Sequence, residues 1–304
     1  MNSEYAIGLA TCLGRLRVRS GRGYTLIELM IAMSLGLLVS CAVMSLYRDQ
    51  RGAFERAADW ASITDAGYTA LDLISVQARL AGLVVEADGR DNLPPDLFGQ
   101  FSRQSPRLMR TILQAPMQAP MQLAQRLPVF GCHAGRPVGS VDAPQCEADS
   151  HASDGVQFLS IGNTVSSWAD SGGAATDCLG QALALDAVSA ARFFTRVSHA
   201  SGEPELYCDG AARLGNAQPI VEGVETLQLS YWLAGAEAPQ AVVAADQWPQ
   251  VRALEVCLVV RGRPGAVRFP YLDCSGRPVL GVDRRRRQVF RLFVARRNYA
   301  APTS

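Results

Sequence analysis

The chain has 304 residues, and 48% of them are hydrophobic, so it is long and apolar enough to bury a sizeable core. This composition excludes a wholly disordered chain. The 29 basic and 28 acidic residues leave a formal charge of +1, which gives no support to the binding of nucleic acid by bulk charge. All the basic residues are arginine, which excludes enzyme mechanisms that need a Schiff-base or P-loop lysine.

The first fifty residues contain a basic stretch followed by a long apolar run. From Leu29 to Tyr47 there are 19 residues without a charge, which with the preceding turn are long enough to span a membrane as a helix. A secretory signal would have a shorter apolar stretch of ~7 to 15 residues and a small-residue cleavage site after it. Glu28 stands at the start of the run, where a carboxylate costs on the order of 2.5 to 3.5 kcal/mol, so it is a candidate functional residue. The arginines of the basic stretch are Arg15, Arg17, Arg19 and Arg22.

The junction before the apolar run has the pattern of a processing site. The sequence GYTLIE, from Gly23 to Glu28, resembles the class III signal of type IV prepilins. The resemblance implies that a prepilin peptidase cuts between Gly23 and Tyr24, methylates the new amino terminus and leaves Glu28 as the fifth mature residue. Tyr24 replaces the phenylalanine that is usual at the first mature position, which is a conservative departure from the family pattern.

The same resemblance implies that Glu28 acts in subunit docking. Cleavage after Gly23 would free an ammonium group, which the glutamate of a neighbouring subunit could partner. Leaving a buried charge unpaired costs several kcal/mol, so such a pair selects one axial offset between subunits even if it adds little net stability. We therefore expect Glu28 to serve assembly rather than the fold of its own chain.

A second processing motif overlaps the apolar run. LVSC, ending at Cys41, resembles a lipobox, in which the cysteine would be lipidated and become the amino terminus. Glu28 would then lie inside the apolar signal region, which that pathway disfavours. We interpret Cys41 as a small residue of a membrane helix.

Beyond the apolar run the helical pattern continues, and no proline occurs before Pro94. One continuous helix from Tyr24 to about Gly82 is therefore expected, with its membrane and assembly segment over residues 24–47. Spacings of three and four predict an inner and an outer stripe in the second half of this helix. The inner stripe is Trp60, Ile63, Gly67, Ala70, Ile74, Ala78 and Ala81, and the outer one is Glu55, Asp59, Ser62, Asp65, Thr69 and Asp72.

Residues 83–304 are predicted to form a globular head rich in β-structure. The proline-rich stretch from DNLPPDLFGQ to QRLPVFGC is interpreted as an irregular connection. In the segment after Val251, apolar residues at 254, 256, 258 and 260 alternate with Glu255, Cys257 and Arg261, which predicts a half-exposed strand of an antiparallel sheet. Strands are predicted over 156–161, 192–197, 205–208, 224–233, 251–261 and 288–296.

Several short motifs of the head occur in an order that resembles the PilW-type minor pilins. Each motif is weak by itself, and the resemblance depends on their order and spacing. It implies a type IV pilin-like fold with a long helix and a β-rich head, and the J-type pseudopilin of type II secretion is the close alternative. The motifs are GC at 131–132, SDGVQFLSI from Ser153, DCLG from Asp177, LYC from Leu206, VEGVETLQLSYWL from Val221 and VFRLFVARRN from Val289.

The chain has eight cysteines, and six of them lie after residue 90 without any CxxC pair. This spacing disfavours zinc and thioredoxin-like sites and favours up to three disulfides in an oxidising compartment. Six cysteines permit fifteen complete connectivities. Sequence-local pairing is preferred, and the alternative is one pair with four buried thiols. The preferred pairs are Cys132 with Cys146, Cys178 with Cys208, and Cys257 with Cys274.

The sequence has few features that are typical of an enzyme, and no catalytic residue, metal site or cofactor is predicted. Asp170 to Gly173 resembles the nucleophile loop of trypsin-like proteases, but Ala169 replaces the flanking glycine, so a Gly/Ser-rich loop is preferred. His133, His151 and His199 lack metal-ligand spacing and are interpreted as solvated. The run from Arg284 to Arg287 is interpreted as a solvated hairpin tip rather than a contact for DNA.

The predicted fold class is α+β: a long N-terminal helix whose first half spans a membrane, followed by an antiparallel, disulfide-bonded β-rich head. The predicted function is that of a minor type IV pilin, anchored by a single span in the inner membrane with its head in the periplasm before it enters a surface pilus. The expected partners are the prepilin peptidase, other minor pilins, the major pilin and the membrane, whereas nucleic acid is not expected. A membrane-anchored adhesin or binding module is the alternative outside the filament proteins.

Overall fold

In the computed structural model, a long α-helix precedes a series of antiparallel strands. The structure describes residues 25–83, 127–148, 153–162, 170–184, 187–265 and 267–298. The helix, α1, runs from Leu26 to Leu80, and the chain divides into two compact units, Met1–Arg56 and Ala57–Ser304. The described part of the first unit is helical after Thr25, and the second contains the rest of α1 and all the described strands.

The strands of the second unit form two larger sheets and two hairpins, and every described pair is antiparallel. The strands are β1 Val129–Cys132, β2 Gly135–Gly139, β3 Pro144–Ala148, β4 Gly155–Ile161, β5 Val188–Val197, β6 Pro204–Gly210, β7 Gln218–Glu222, β8 Val224–Leu233, β9 Val251–Pro264, β10 Pro270–Leu272, β11 Pro278–Leu280 and β12 Arg285–Ala295. The five-stranded sheet has the order β1-β4-β5-β6-β7, the three-stranded sheet has the order β12-β9-β8, and the hairpins are β2-β3 and β10-β11. The predicted fold class is thus confirmed.

The core of the head lies between the second half of α1 and the inner faces of the two larger sheets. Ile63, Ala70, Ile74 and Ala78 of the predicted inner stripe are almost fully buried, as period-3.6 patterning requires. Gly67 is required for close approach, because a Cβ atom at this position would overlap the ring of Phe290 on β12. The alternate residues of β8 and β9 cover the same core, and they include Leu227, Leu229, Leu254, Val256 and Leu258.

Two residues of the helix depart from the predicted stripes. Trp60, which was placed on the inner stripe, is 44% exposed and contacts the guanidinium of Arg286 instead of the core. Asp59, which was placed on the solvent side, is half-buried, and its Oδ1 accepts the backbone N–H of Arg263 at 2.7 Å. Both departures occur where the helix contacts the ends of β9 and β12. The periodicity of the helix alone cannot predict these contacts.

Three loops of the head repeat one local design with the pattern Asp-x-x-Gly-x. In each loop the aspartate Oδ1 accepts the backbone N–H groups two and four residues later, at 2.8 to 3.0 Å. The glycine has a φ between 73° and 80°, a left-handed conformation that favours glycine. The loop at Asp170 was predicted as a Gly/Ser-rich loop, and its aspartate fixes the turn. The three loops begin at Asp170, Asp177 and Asp273.

The arginine run was predicted as a solvated hairpin tip, and this prediction is wrong for three of its four members. Arg285, Arg286 and Arg287 belong to β12, and the side chain of Arg287 is only 3% exposed. Arg284 alone is exposed. The six predicted strand regions are occupied by strands, whereas the short strands β1, β2, β3, β7, β10 and β11 were not predicted.

Candidate assembly site

The helix begins with a capping box formed by Thr25 and Glu28. The backbone N–H of Thr25 donates to Glu28 Oε2 at 2.9 Å, and the hydroxyl of Thr25 donates to the same oxygen at 3.1 Å. In return, the backbone N–H of Glu28 donates to the hydroxyl oxygen of Thr25 at 3.3 Å. Such a reciprocal pair satisfies backbone donors that a helix N-terminus otherwise leaves open. Within the single chain, Glu28 therefore stabilises its own helix.

The segment after Glu28 is apolar and exposed in the isolated chain. Among the described residues, α1 is the one helix that is long and apolar enough to cross a membrane. Its hydroxyl groups bond within the helix: Ser34 donates to the carbonyl of Ile31 at 2.9 Å, and Ser40 donates to that of Gly36 at 2.8 Å. Because these polar groups are satisfied internally, the segment imposes little desolvation cost on transfer to lipid. Glu28 is the exception, as it keeps a carboxylate at the start of the segment.

Two predicted site residues, Gly23 and Tyr24, lie outside the described residues. Cys41, the residue of the lipobox-like motif, is exposed on the helix and forms no disulfide with a described cysteine. Of the predicted histidines, His133 and His199 are exposed, and His151 lies outside the described residues. No cluster of His, Cys, Asp or Glu suited to a metal ion occurs in the described part of the chain.

Three disulfides brace the head. They join Cys132 to Cys146, Cys178 to Cys208, and Cys257 to Cys274. Each joins elements close in the chain: β1 to β3, an Asp-x-x-Gly-x loop to β6, and another such loop to β9. This is the sequence-local arrangement expected from the cysteine positions.

An ion-pair network of six residues, which was not predicted, ties β12 to the rest of the head. Arg287 contacts Glu225 at 2.5 Å and Asp283 at 2.6 Å. Arg285 and Arg261 both contact Glu203, at 2.7 and 2.8 Å. The members of the ion-pair network are Glu203, Glu225, Arg261, Asp283, Arg285 and Arg287.

The pKa shifts in the ion-pair network follow from these contacts. The hydrogen bond that Arg287 donates to Asp283 lowers the pKa of Asp283, and the hydrogen bonds that Arg287 donates to Glu225 raise the pKa of Arg287 above its ordinary value. Burial opposes ionisation of Glu203, but hydrogen bonds from Arg285 and Arg261 outweigh it and lower its pKa. These shifts favour the charged forms of Asp283, Glu203 and Arg287 at neutral pH, so the ion-pair network has a structural role rather than an acid-base one.

Beside the ion-pair network, Arg286 lies between two aromatic rings. Its guanidinium carbon is 5.4 Å from the ring centre of Trp60 and 4.6 Å from that of Phe269. Cation–π contacts of this kind contribute ~0.5 to 1 kcal/mol at exposed sites. Since Trp60 is on α1 and Phe269 precedes β10, Arg286 joins the helix to the hairpin.

The buried carboxylate of Asp154 also has a structural role. Its oxygens accept the backbone N–H groups of Ala134 and Leu229, each at 2.8 Å, and Nδ1 of His133 lies 3.0 Å away. Burial raises its pKa despite these hydrogen bonds. The carboxylate links the turn after β1 to β8, because it accepts a backbone N–H group from each of them.

Two family models match the chain, and they match different parts of it. The prokaryotic N-terminal methylation motif matches residues 19–44, which contain the capping box and the start of the apolar segment. The model of type IV pilus-assembly protein W matches residues 193–298, from β5 to the end of the described head. The chain is type IV pilin-like: it carries the methylation motif and is similar to the PilW family over residues 193–298. Its matches are to a pilus-assembly family and indicate a structural subunit rather than an enzyme.

Comparison with solved structures gives a type IV-like pilin, TTHA1219 from Thermus thermophilus, at 20% identity and a TM-score of 0.34. The similarity covers 64% of this pilin-like protein and 98% of the Thermus chain. No curated protein matches the chain.

Proposed function

We propose that this pilin-like protein is a minor type IV pilin, a subunit that is cut between Gly23 and Tyr24 and then enters or initiates a pilus. The observation that supports this most is the methylation-motif match over residues 19–44, which coincides with a helix whose first turn holds Glu28 ahead of a membrane-length apolar segment. The PilW match in the head points to the same assembly family.

The proposed docking step follows from the state of Glu28 in the single chain. Its carboxylate accepts two hydrogen bonds from Thr25, but no cation lies beside it among the described residues. In an apolar medium a carboxylate without a counter-charge is costly. The ammonium that cleavage creates at Tyr24 of a neighbouring subunit would supply this charge and fix the axial position of the two subunits. Before assembly, the single span would anchor the chain in the inner membrane with the head in the periplasm.

The partners proposed for this role are the prepilin peptidase, which would act on the Gly23–Tyr24 bond, and then the other minor pilins and the major pilin. The head supports an extracytoplasmic location, since its three disulfides need an oxidising compartment.

Three variants of the full chain distinguish the cleavage after Gly23 from the two roles of Glu28, in the capping box and in subunit docking. Gly23→Arg should block processing, which mass spectrometry of the amino-terminal peptide would detect. Glu28→Leu should be cut and inserted but should be depleted in sheared pili relative to the inner membrane. Glu28→Gln is the matched control, because it keeps an oxygen for the capping box but carries no charge, so it should fail in assembly like Glu28→Leu.

The readout must include the number of pili, because a subunit that only initiates assembly is required once for each filament. Normal pilus number together with normal incorporation of Glu28→Leu would contradict the docking role. A mature chain that begins at a lipidated Cys41 would contradict the pilin assignment, and a defect in type II secretion with normal pili would favour the J-type pseudopilin.

A further inference from the structure

The last strand, β12, lies at one edge of the three-stranded sheet, where it pairs with β9. Just after β12, the N–H of Arg296 donates to the carbonyl of Arg252, so residue 296 faces β9. Backbone groups alternate in direction along an antiparallel strand. The even residues from 288 to 294 therefore also bond to β9, and the odd residues from 289 to 295 direct their N–H and C=O groups away from it. In the described part of the chain, no residue bonds to these outward groups.

The other sheet edges are protected against the addition of a strand. β7 is five residues long and contains Pro219, which has no N–H, and β1 has four residues and is joined to β3 by the disulfide of Cys132. On β8, three successive outward N–H groups are satisfied by other segments. They belong to Leu227, Leu229 and Tyr231, which donate to Ser153 Oγ, Asp154 Oδ2 and the carbonyl of Gln240 at 2.8 to 2.9 Å. Short length, proline and covering segments are the usual protection of an edge, whereas β12 has eleven residues and no proline.

The outer edge of β12 is accessible beyond Arg291, whose guanidinium donates to the carbonyl of Cys274 at 2.7 Å. Phe293 is 58% exposed, its ring centre lies 6.3 Å from that of Trp232 on β8, and Ala295 is exposed as well. Outward donors and acceptors recur every two residues along the edge, or about 6.8 Å. An extended backbone presents complementary groups at the same repeat, so the edge selects another strand as its occupant.

The charge along this edge disfavours a second copy as the source of that strand. Residues 284–297 contain seven arginines and no acidic residue. Arg284, Arg291 and Arg297 are exposed, and no ion pair joins them to a described carboxylate. An antiparallel pair of two copies of β12, centred on Arg291, would place the two Arg291 side chains opposite each other and Arg284 of each copy near Arg297 of the other. Like charges opposite one another destabilise a strand pair, so a different chain with acidic side chains fits this edge better.

We propose that an extended strand of a different pilus subunit adds to the outer edge of β12. Its main chain bonds to residues 289, 291, 293 and 295, with an apolar side chain beside Phe293 and an acidic one beside Arg291 or Arg297. In strand addition, main-chain hydrogen bonds give the affinity and the side chains select the partner. The inference rests on the proposed filament role, in which the heads of different subunits are in contact.

Photo-cross-linking of the full chain in cells tests the strand addition. Benzoylphenylalanine is placed at Phe293 in one variant and at Ala295 in another, and mass spectrometry identifies the linked residue of the partner. Side chains on one face of neighbouring strands pair at intervals of two residues, so the two probes should link to one partner segment at positions about two residues apart. A probe at exposed Val242, in the connection between β8 and β9, is the control and should give no link to that segment.

A proline substitution isolates the contribution of the backbone. With the probe at Ala295, Phe293→Pro removes an outward N–H but no bond to β9. Phe293→Ala is the matched control, because it removes the same ring and keeps the N–H. The yield with Phe293→Pro should be about tenfold lower than with Phe293→Ala, because a carbonyl of the partner strand is left unpaired. If Phe293→Pro does not fold, Ala295→Pro is compared with Ala295→Ser, with the probe at Phe293.

Charge reversal tests the acidic character of the partner. With the probe at Ala295, Arg297→Glu should lower the yield by about threefold or more, because an attractive contact becomes repulsive. Arg213→Glu, at an exposed site on the 3-10 helix after β6, is the matched control and should leave the yield unchanged.

Each other outcome overturns the strand addition. These outcomes are an absence of cross-links, links to lipid, to this chain, to a second copy or to a protein absent from pili, linked residues without the two-residue step, equal yields for the proline variant and its control, and an unchanged yield for Arg297→Glu. Incorporation into sheared pili is measured on the same cells. Normal incorporation without the predicted cross-links refutes the strand addition and leaves the filament role intact, whereas absence of the normal chain from pili refutes the role itself.

Discussion

Replacing Arg287 by methionine should destabilise the head by about 2 to 3 kcal/mol. The guanidinium is buried, and it donates hydrogen bonds to both Glu225 and Asp283. Breaking a buried ion pair costs ~3 to 5 kcal/mol, because the partners are left unpaired. Here the cost is reduced, since the two carboxylates keep 28% and 34% side-chain exposure and Arg261 lies 3.9 and 4.0 Å from them.

The assay is thermal unfolding of the full chain in detergent, followed by near-ultraviolet circular dichroism. A domain of this size changes its Tm by ~2 to 4 °C for each kcal/mol, so Arg287→Met should lower Tm by about 4 to 12 °C at pH 7. Arg213→Met is the control, because an exposed arginine without a role in packing should change stability by less than ~0.5 kcal/mol. An unchanged Tm for Arg287→Met would refute the role of the ion-pair network.

The pH dependence of the stability also tests the role of the ion-pair network. The pKa values of Asp283 and Glu203 are lower in the folded chain than their ordinary values of 3.8 and 4.5. Such groups add stability that is fully present above the ordinary pKa and is lost as the pH falls through the lowered value. The normal chain should therefore lose stability below about pH 4. The Tm difference from Arg287→Met should narrow towards pH 3, and a constant difference would contradict the electrostatic explanation.

Three further substitutions test the packing, the disulfide and the cap. Gly67→Leu should cost ~2 kcal/mol or more through overpacking against β12, and an unchanged midpoint of chemical denaturation would contradict this. Replacing both Cys257 and Cys274 by serine should lower the free energy of unfolding by ~3 kcal/mol and make the hairpin β10-β11 sensitive to protease, because the disulfide no longer holds its loop against β9. Unchanged protease resistance would contradict this role of the disulfide. Thr25→Val should cost ~1 kcal/mol in the first helical turn, which hydrogen exchange would detect as faster exchange there, and equal exchange rates would argue against the capping box.

The N-terminal helix could be predicted from the sequence because its signals are local. An uninterrupted apolar run and a regular stripe of small residues both act over a few turns, and Ile63, Ala70 and Ile74 are buried as that stripe predicts. The position of Trp60 depends on Arg286, more than two hundred residues later, so no local pattern could report it.

The strands of the head also include some that a local sequence pattern predicts and others that it does not. The long strands β8, β9 and β12 were predicted because their apolar residues alternate over many positions. The short strands contain proline or glycine, as in GRPVG of β2 and PYL of β10, and they exist because neighbouring strands supply their hydrogen bonds.

The functional region of the chain could be predicted from the sequence only in part. The sequence was sufficient to identify Glu28 as an unusual charge, and the pattern Thr-x-x-Glu from Thr25 could also have identified the capping box. The ion-pair network could not be found, because its members come from distant parts of the chain. The arginine run was misinterpreted for this reason, since charge runs are commonly solvated and only the fold brings Glu203 and Glu225 to this one.

The Asp-x-x-Gly-x loops affect the route by which the head acquires its cross-links. Two of the three loops place a cysteine directly after the aspartate, Cys178 in one and Cys274 in the other. A short loop closes on the order of 10 to 100 ns, whereas disulfide formation takes seconds or longer. We expect each turn to form and dissolve many times before its thiol is oxidised, and to present that thiol in one orientation each time. The pattern that fixes a native loop would thereby also bias which cysteines meet first during oxidative folding.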